Sequence, residues 1–172
     1  MKIYARLIPT VSKEILDVLR KDEDIEVDDG KLQEAELDIG AVMRQYIEEE
    51  RNLNNDVKDY IFKRKLDYKD FKRAKEMISR EKKFPLGDDG IDFVLNQIIE
   101  ALMMSKNIDE VFSEDNVLRR KMLLTMKKHF ELDAQFDLDV RARMKNLQEG
   151  TPQWDIEYEK QLAELKRIKG FV

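Results

Sequence analysis

The chain has 172 residues, 42% of them apolar and 40% charged, with 37 acidic residues against 32 Lys and Arg and a formal net charge of −5. This length suits one core of ordinary size or two small helical lobes sharing one, and the apolar share excludes outright disorder. Six Gly and three Pro leave little material for tight turns, which argues against an all-β fold, and the absence of Cys excludes disulfides, thiol nucleophiles and thiolate metal sites.

The opening Met1-Lys2-Ile3-Tyr4-Ala5-Arg6 lacks the apolar core and small-residue cleavage site of a secretory signal, so a cytoplasmic location is expected. Ile3 to Ile8 reads as extended. A first helix is predicted after Pro9, capped by Thr10 or Ser12 and running through Ile15, Leu16, Val18 and Leu19 to Lys21. Asp24-Ile25-Glu26-Val27-Asp28 alternates acidic and apolar residues, which favours a short extended link ending at Asp29-Gly30. From Lys31 a long helical stripe opens with Leu32, Ala35, Ile39, Val42, Met43 and Tyr46. It resumes at Leu53, Val57, Tyr60 and Ile61, with a kink or break expected between Glu48 and Asn55.

Asp67 is expected to cap a third helix, Tyr68 to Lys83, ended by Phe84-Pro85-Leu86-Gly87 because proline disfavours helix in the residue before it. Asp88 or Asp89 would cap the next helix, whose Ile91, Phe93, Val94, Leu95, Ile98, Ile99, Leu102 and Met103 cover most of the circumference and so belong at the centre. Its apolar stretch, Ile91 to Met104, is too short and too polar to cross a bilayer. Ser113-Glu114-Asp115 opens another helix closing on Lys127, Lys128 and His129, so that both ends complement the helix dipole. A shorter helix spans Asp137 to Leu147 and ends near Gly150. The last is framed by Thr151, Pro152 and Gly170, with Trp154, Tyr158, Leu162, Leu165 and Ile168 on one face.

Val27-Asp28-Asp29-Gly30-Lys31 and Gly87-Asp88-Asp89-Gly90-Ile91 sit in matching contexts, each after a basic-ended helix and before a longer apolar one. This is either a weak duplication or a shared preference for acids at helix N-termini. The acidic residues Asp24, Asp28, Asp29, Asp88, Asp89 and Asp92 are the candidate ligands for a divalent ion. They do not follow the calcium-loop template, since counting from Asp24 puts Gly30 one position late and Ala35 where a bidentate Glu is required. His129 is the only histidine, and no phosphate-binding loop, nucleophile elbow or zinc-helix string occurs. No catalytic residue and no cofactor are therefore assigned. Asn96 and Gln97, on the central apolar helix, are expected to be buried amides in need of partners.

Charge is segregated in blocks. Glu14 to Val57 holds fifteen acidic residues against five basic; Lys58 to Lys83 holds eleven basic against five acidic. Phe84 to Leu118 has eight acidic and one basic, and Arg119 to Phe130 has five basic and none acidic. Either the blocks neutralise one another between packed helices, or Arg64, Lys65, Lys72, Arg73, Arg80, Lys82 and Lys83, with Tyr68 and Phe71 interleaved, form a surface for nucleic acid or an acidic partner.

Several strings resemble the bacterial domain-of-unknown-function family 507: Arg6-Leu7-Ile8-Pro9, Ile25-Glu26-Val27 with Gly30-Lys31, Glu34-Ala35-Glu36-Leu37-Asp38, Gly87-Asp88-Asp89-Gly90 and Asn96-Gln97. Glu114-Asp115 with Leu118-Arg119-Arg120-Lys121-Met122, and Glu149-Gly150-Thr151-Pro152 with Trp154-Asp155-Ile156-Glu157-Tyr158, continue the likeness. The resemblance implies an elongated all-α fold with an acidic end and carries no established activity, cofactor or catalytic residue.

The expectation is thus an all-α protein of about six to seven helices in successive helical hairpins. An N-terminal lobe, residues 1–83, carries the acidic Asp-Asp-Gly turn; a C-terminal lobe spans residues 84–172; together they make one continuous domain. Functionally it reads as a non-enzymatic cytoplasmic interaction protein with a protein partner and no membrane insertion. The alternatives are a nucleic-acid-binding protein using a basic helical face and a divalent-metal-dependent enzyme using the acidic loops.

Overall fold

A computed structural model describes residues 1–147 and 151–168. The expectations attached to Gly150 and Gly170 lie outside these residues. The fold is all-α, with six α-helices among the described residues and one two-stranded ribbon.

Helix α1 (Ile8–Lys21) buries Ile8, Val11, Ser12, Ile15, Leu16 and Leu19 along one stripe. It starts earlier than predicted: Pro9 lies inside the first turn, where its missing N–H would have had no partner in any case, and neither Thr10 nor Ser12 caps it. The segment read as extended before it instead holds a 3-10 turn, Ala5–Leu7. Strand β1 (Ile25–Glu26) follows, as the acidic-apolar alternation suggests. Helix α2 (Leu32–Arg64) is one continuous element of 33 residues, about 50 Å long. The expected break between Glu48 and Asn55 is absent, because no Gly or Pro interrupts the segment and Leu53 and Val57 carry the buried stripe onward.

Asp67 caps a 3-10 turn, Tyr68–Asp70, by accepting a hydrogen bond from the Lys69 N–H, and α3 (Phe71–Glu81) is correspondingly shorter than predicted. Helix α4 (Gly87–Met104) is central, burying Ile91, Val94, Leu95, Ile98, Ile99 and Leu102, while Phe93 and Met103 reach the surface. Its N-cap position is Leu86; Asp88 and Asp89 stand in its first turn, favouring it through the dipole without capping it.

Strand β2 (Glu110–Val111) pairs antiparallel with β1, Ile25 opposite Val111 and Glu26 opposite Glu110. Helix α5 (Asp115–Arg143) then runs 29 residues and merges the two helices predicted on either side of His129. The basic cluster there marks an ion-paired surface instead of a terminus, and Met126, Phe130, Asp133, Phe136 and Val140 keep the helical spacing through it. Helix α6 (Pro152–Ile168) opens as predicted, with Thr151 Oγ1 accepting the Trp154 N–H at 3.2 Å. Tyr158, Leu162 and Leu165 are buried, whereas Ile168 is exposed.

The two long helices organise the molecule. The main core joins α1, β1, the first half of α2, α4 and the first half of α5. The second half of α2 leaves that core and packs Leu53, Val57 and Ile61 against Ala74 and Ile78 of α3. The second half of α5 does likewise, placing Phe136 and Val140 against Tyr158, Leu162 and Leu165 of α6. The result is an elongated body with two helical-hairpin arms, each holding a small core of its own. Among the described residues no helix is long and apolar enough to cross a membrane.

Candidate functional site

The six carboxylates read as candidate metal ligands are not brought together. Asp24 is 3% exposed and accepts from Lys121 Nζ and Ser113 Oγ, both at 2.6 Å, fastening β1 to α5. Asp28 accepts the Gly30 N–H, closing the turn before α2. Asp29 pairs with Arg20 at 2.8 Å, Asp88 with the N-terminal amine at 3.6 Å and Asp92 with Arg119 at 3.7 Å, while Asp89 is exposed. Among the described residues no group of three or more His, Asp or Glu side chains is arranged to hold a metal ion.

The two Asp-Asp-Gly segments also differ in build. Asp28-Asp29-Gly30 forms a 3-10 turn knitted to the loop before β2: the Asp109 carboxylate accepts from the Asp28 N–H at 2.7 Å and from Lys31 Nζ at 2.6 Å. Those bonds hold the Asp109 carboxyl below the ordinary carboxylate range, the lysine being the larger cause. Gly87-Asp88-Asp89-Gly90 is the first turn of α4, and Gly90 is buried against Tyr46.

His129 sits in the joint between α1 and α5, its Nε2 2.5 Å from the Glu14 carboxylate that Lys128 also contacts at 2.5 Å. Burial works to raise the Glu14 pKa, but the hydrogen bonds from Lys128 and His129 outweigh it and leave the group below its usual value. Nor are Asn96 and Gln97 the buried amides that the apolar helix suggests. Asn96 is exposed and accepts from Arg119, and Gln97 donates to Glu100 on its own helix at 3.1 Å.

The two basic blocks are ion-paired to different extents. In the Arg119 to Phe130 block, Arg119 reaches Asp92, Lys121 bridges Asp22 and Asp24, and Lys128 meets Glu14. These three neutralise acids on α1 and α4 and in the link between α1 and β1, whereas Arg120 and Lys127 are exposed and have no ion-pair partner among the described residues. In the Lys58 to Lys83 block only Lys69, Lys75 and Lys82 have ion-pair partners among the described residues, namely Asp67, Glu50 and Asp56. The other eight cations, Lys58, Lys63, Arg64, Lys65, Lys72, Arg73, Arg80 and Lys83, are exposed and have no such partner there.

Of the seven basic residues predicted to form one surface, the structure divides the set. Arg73 and Arg80, one turn apart twice over on α3, flank Met77 along a groove that Asp70, Glu76 and Glu81 also line, so the signs interleave. Lys72 stands on an adjoining face; Lys82 and Lys83 lie beyond the far end of α3, and Lys82 is tied to Asp56. Arg64 lays its guanidinium over the Tyr60 ring, 5.3 Å from the centroid.

Lys65 belongs instead to the tip of the arm. There Lys58, Ile61, Phe62, Lys65, Leu66 and Tyr68 line a groove of about 390 Å³ with no carboxylate among them. Phe62 is 85% exposed and Tyr68 69% exposed, the flattest and largest apolar groups of the arm left in water. Of the two aromatics expected to interleave with the basic residues, Tyr68 is exposed and Phe71 is half-buried beneath it, ring centroids 5.3 Å apart. Sequence reasoning passed over Phe62 and Lys58. The available signal was that Phe62 falls off the Leu53, Val57, Ile61 stripe, and that Lys58, Phe62 and Lys65 follow one another at helical spacing.

The family model described as "Protein of unknown function (DUF507)" matches residues 1–171 of the chain. No curated protein matches it.

Proposed function

Because the chain belongs to the DUF507 family, whose function is unknown, we propose from its own surface that it is a non-catalytic interaction protein, and that the tip of the α2–α3 arm is where it docks. The observation that carries this reading is the arm tip itself: Lys58 and Lys65, exposed and without an ion-pair partner among the described residues, line one groove with Phe62 and Tyr68, whose rings are largely exposed. A phenylalanine left 85% exposed forgoes most of the roughly 2 kcal/mol that burying it would contribute. Large apolar groups gathered at one exposed place mark surfaces that another molecule covers. Supporting the non-catalytic part, Asp24 is tied to Ser113, Asp28 closes its own turn, and the one histidine is held by Glu14.

The test is a photoreactive phenylalanine analogue at Phe62, irradiated in living cells. Discrete adducts are expected there, weakened by Lys58→Glu and Lys65→Glu. The same analogue at Leu124, equally apolar and 62% exposed on α5, serves as the control. Equal labelling from both positions overturns the reading.

A further inference from the structure

We propose that the molecule docked at the arm tip is a single strand of nucleic acid, held by ring stacking on Phe62 and Tyr68 and by its phosphates on Lys58 and Lys65. This rests on the reading of the tip as a docking surface. Two chemical demands meet there: the rings need flat apolar partners, and the lysines need negative charge. Unpaired bases joined by phosphates supply both in alternation, and any base serves because every base has a π-face. A duplex offers phosphates but keeps its bases stacked on each other, leaving Phe62 and Tyr68 with nothing to cover them.

The geometry is set before binding. Lys58, Phe62 and Lys65 are separated by one and two helical turns, so the two ammonium groups spring from backbone points about 10 Å apart with a ring between them. Lys65 closes α2 in the left-handed region (φ 52°), its N–H directed to the Ile61 and Phe62 carbonyls, and the Leu66 N–H bonds to Ile61 O at 3.1 Å. Asp67 then caps the following turn, and Tyr68 rests on Phe71, itself packed on the arm's core. The backbone of the tip is therefore held in place, and the ordering cost of binding falls on the exposed side chains.

Other polyanionic occupants fit less well. Asp59 and Asp67, each next in sequence to a residue of the groove, are exposed, and their repulsion weighs most against a broad anionic surface such as a membrane.

Fluorescence anisotropy of the full chain with labelled single-stranded and duplex oligonucleotides, titrated from low salt upward, decides the matter. Single strands should bind at low salt at least about ten-fold more tightly than duplex of the same length. Phe62→Ala should weaken single-strand binding about ten-fold while leaving the salt slope unchanged. Lys58→Gln with Lys65→Gln should lower the slope of log K against log salt by about 1.4, two phosphate contacts on a single strand. All three side chains are exposed, so unchanged circular dichroism and melting temperature confirm that the variants fold. Equal affinity for duplex, or insensitivity to Phe62→Ala, overturns stacking as the basis of recognition. So does preferential binding of polyglutamate or of phosphatidylserine vesicles in parallel assays. Failure here together with specific crosslinking at Phe62 would leave the docking surface standing and remove nucleic acid as its occupant.

Discussion

Replacing Gly90 by Ala places a methyl carbon 2.1 Å from Tyr46 Oη, 2.9 Å from Tyr46 Cζ and 2.9 Å from the Pro85 carbonyl oxygen. The tyrosine has to move, and it is tied in place. Its hydroxyl donates to Pro85 O at 3.0 Å, its ring stacks on Phe84 with centroids 5.1 Å apart, and it is buried. Losing the hydrogen bond costs about 1 kcal/mol, disturbing the stack about 1 more, and the overpacking itself about 1–3. Alanine in a helix returns up to about 1 kcal/mol. A net loss of about 2–4 kcal/mol follows, or about 4–16 °C in melting temperature for a chain of this size. Thermal denaturation followed by circular dichroism measures it, with Tyr46→Phe as the second arm of a double-mutant cycle. Removing the phenolic oxygen takes away the shortest contact, so Gly90→Ala should cost at least about 1 kcal/mol less in that background. A Gly90→Ala variant that melts with the parent, or costs that simply add, would refute the packing account of this glycine. Gly30→Ala is the contrast: its methyl would lie 3.0 Å from a single flexible carboxylate oxygen, that of Asp28, and its effect should be well under that of Gly90→Ala.

Three further outcomes are expected. Asp133→Ala removes the buried carboxylate shared by Arg6, a third of whose side chain is in solvent, and the more covered Lys166, and should cost about 2–3 kcal/mol in urea denaturation, less than a fully buried pair because Arg6 can be rehydrated; an unchanged midpoint would show that the α5–α6 arm does not depend on this cluster. Glu14, Asp22, Asp109 and Asp137 are all held below the ordinary carboxylate range. They contribute stability that is present above about pH 4 and is lost as pH falls through their depressed values, so the urea midpoint should drop steadily below about pH 4, and a flat profile to about pH 2 contradicts the assignment. Adding Ca²⁺, Mg²⁺ or Mn²⁺, or a chelator, should leave the melting temperature where it was, since the acidic turns are spent on caps and ion pairs; a stabilisation that saturates with metal would reopen the acidic-loop enzyme.

The helices that were legible in sequence are those whose own residues carry every signal. α6 announces itself through Thr151, Pro152 and the Tyr158, Leu162, Leu165 stripe, and α4 through an apolar circumference that has to be central. Boundaries were misjudged where a local signal was put to tertiary use. The cluster of Lys127, Lys128 and His129 resembles a helix end by its charge, yet two of these side chains reach across to Glu14 on α1 while the helix continues. The acids from Glu48 to Glu50 resemble a break, yet Glu50 accepts from Lys75 of α3 at 2.7 Å.

The candidate surface shows the same division. Composition and blockwise charge located the basic stretch, Lys58 to Lys83, and the exposed Tyr68 within it, because those properties belong to the chain whatever its partners. Which cations would be neutralised was decided only in three dimensions, since a charge is free or spent according to what another helix, tens of residues away, brings beside it. By itself the sequence determined that the protein is all-helical, rich in solvated charge and a member of its family. Tertiary packing decided that three of the five cations in one basic block meet carboxylates of other elements while eight of the eleven in the other have no ion-pair partner among the described residues, and that Phe62, one residue off the buried stripe, stands in water.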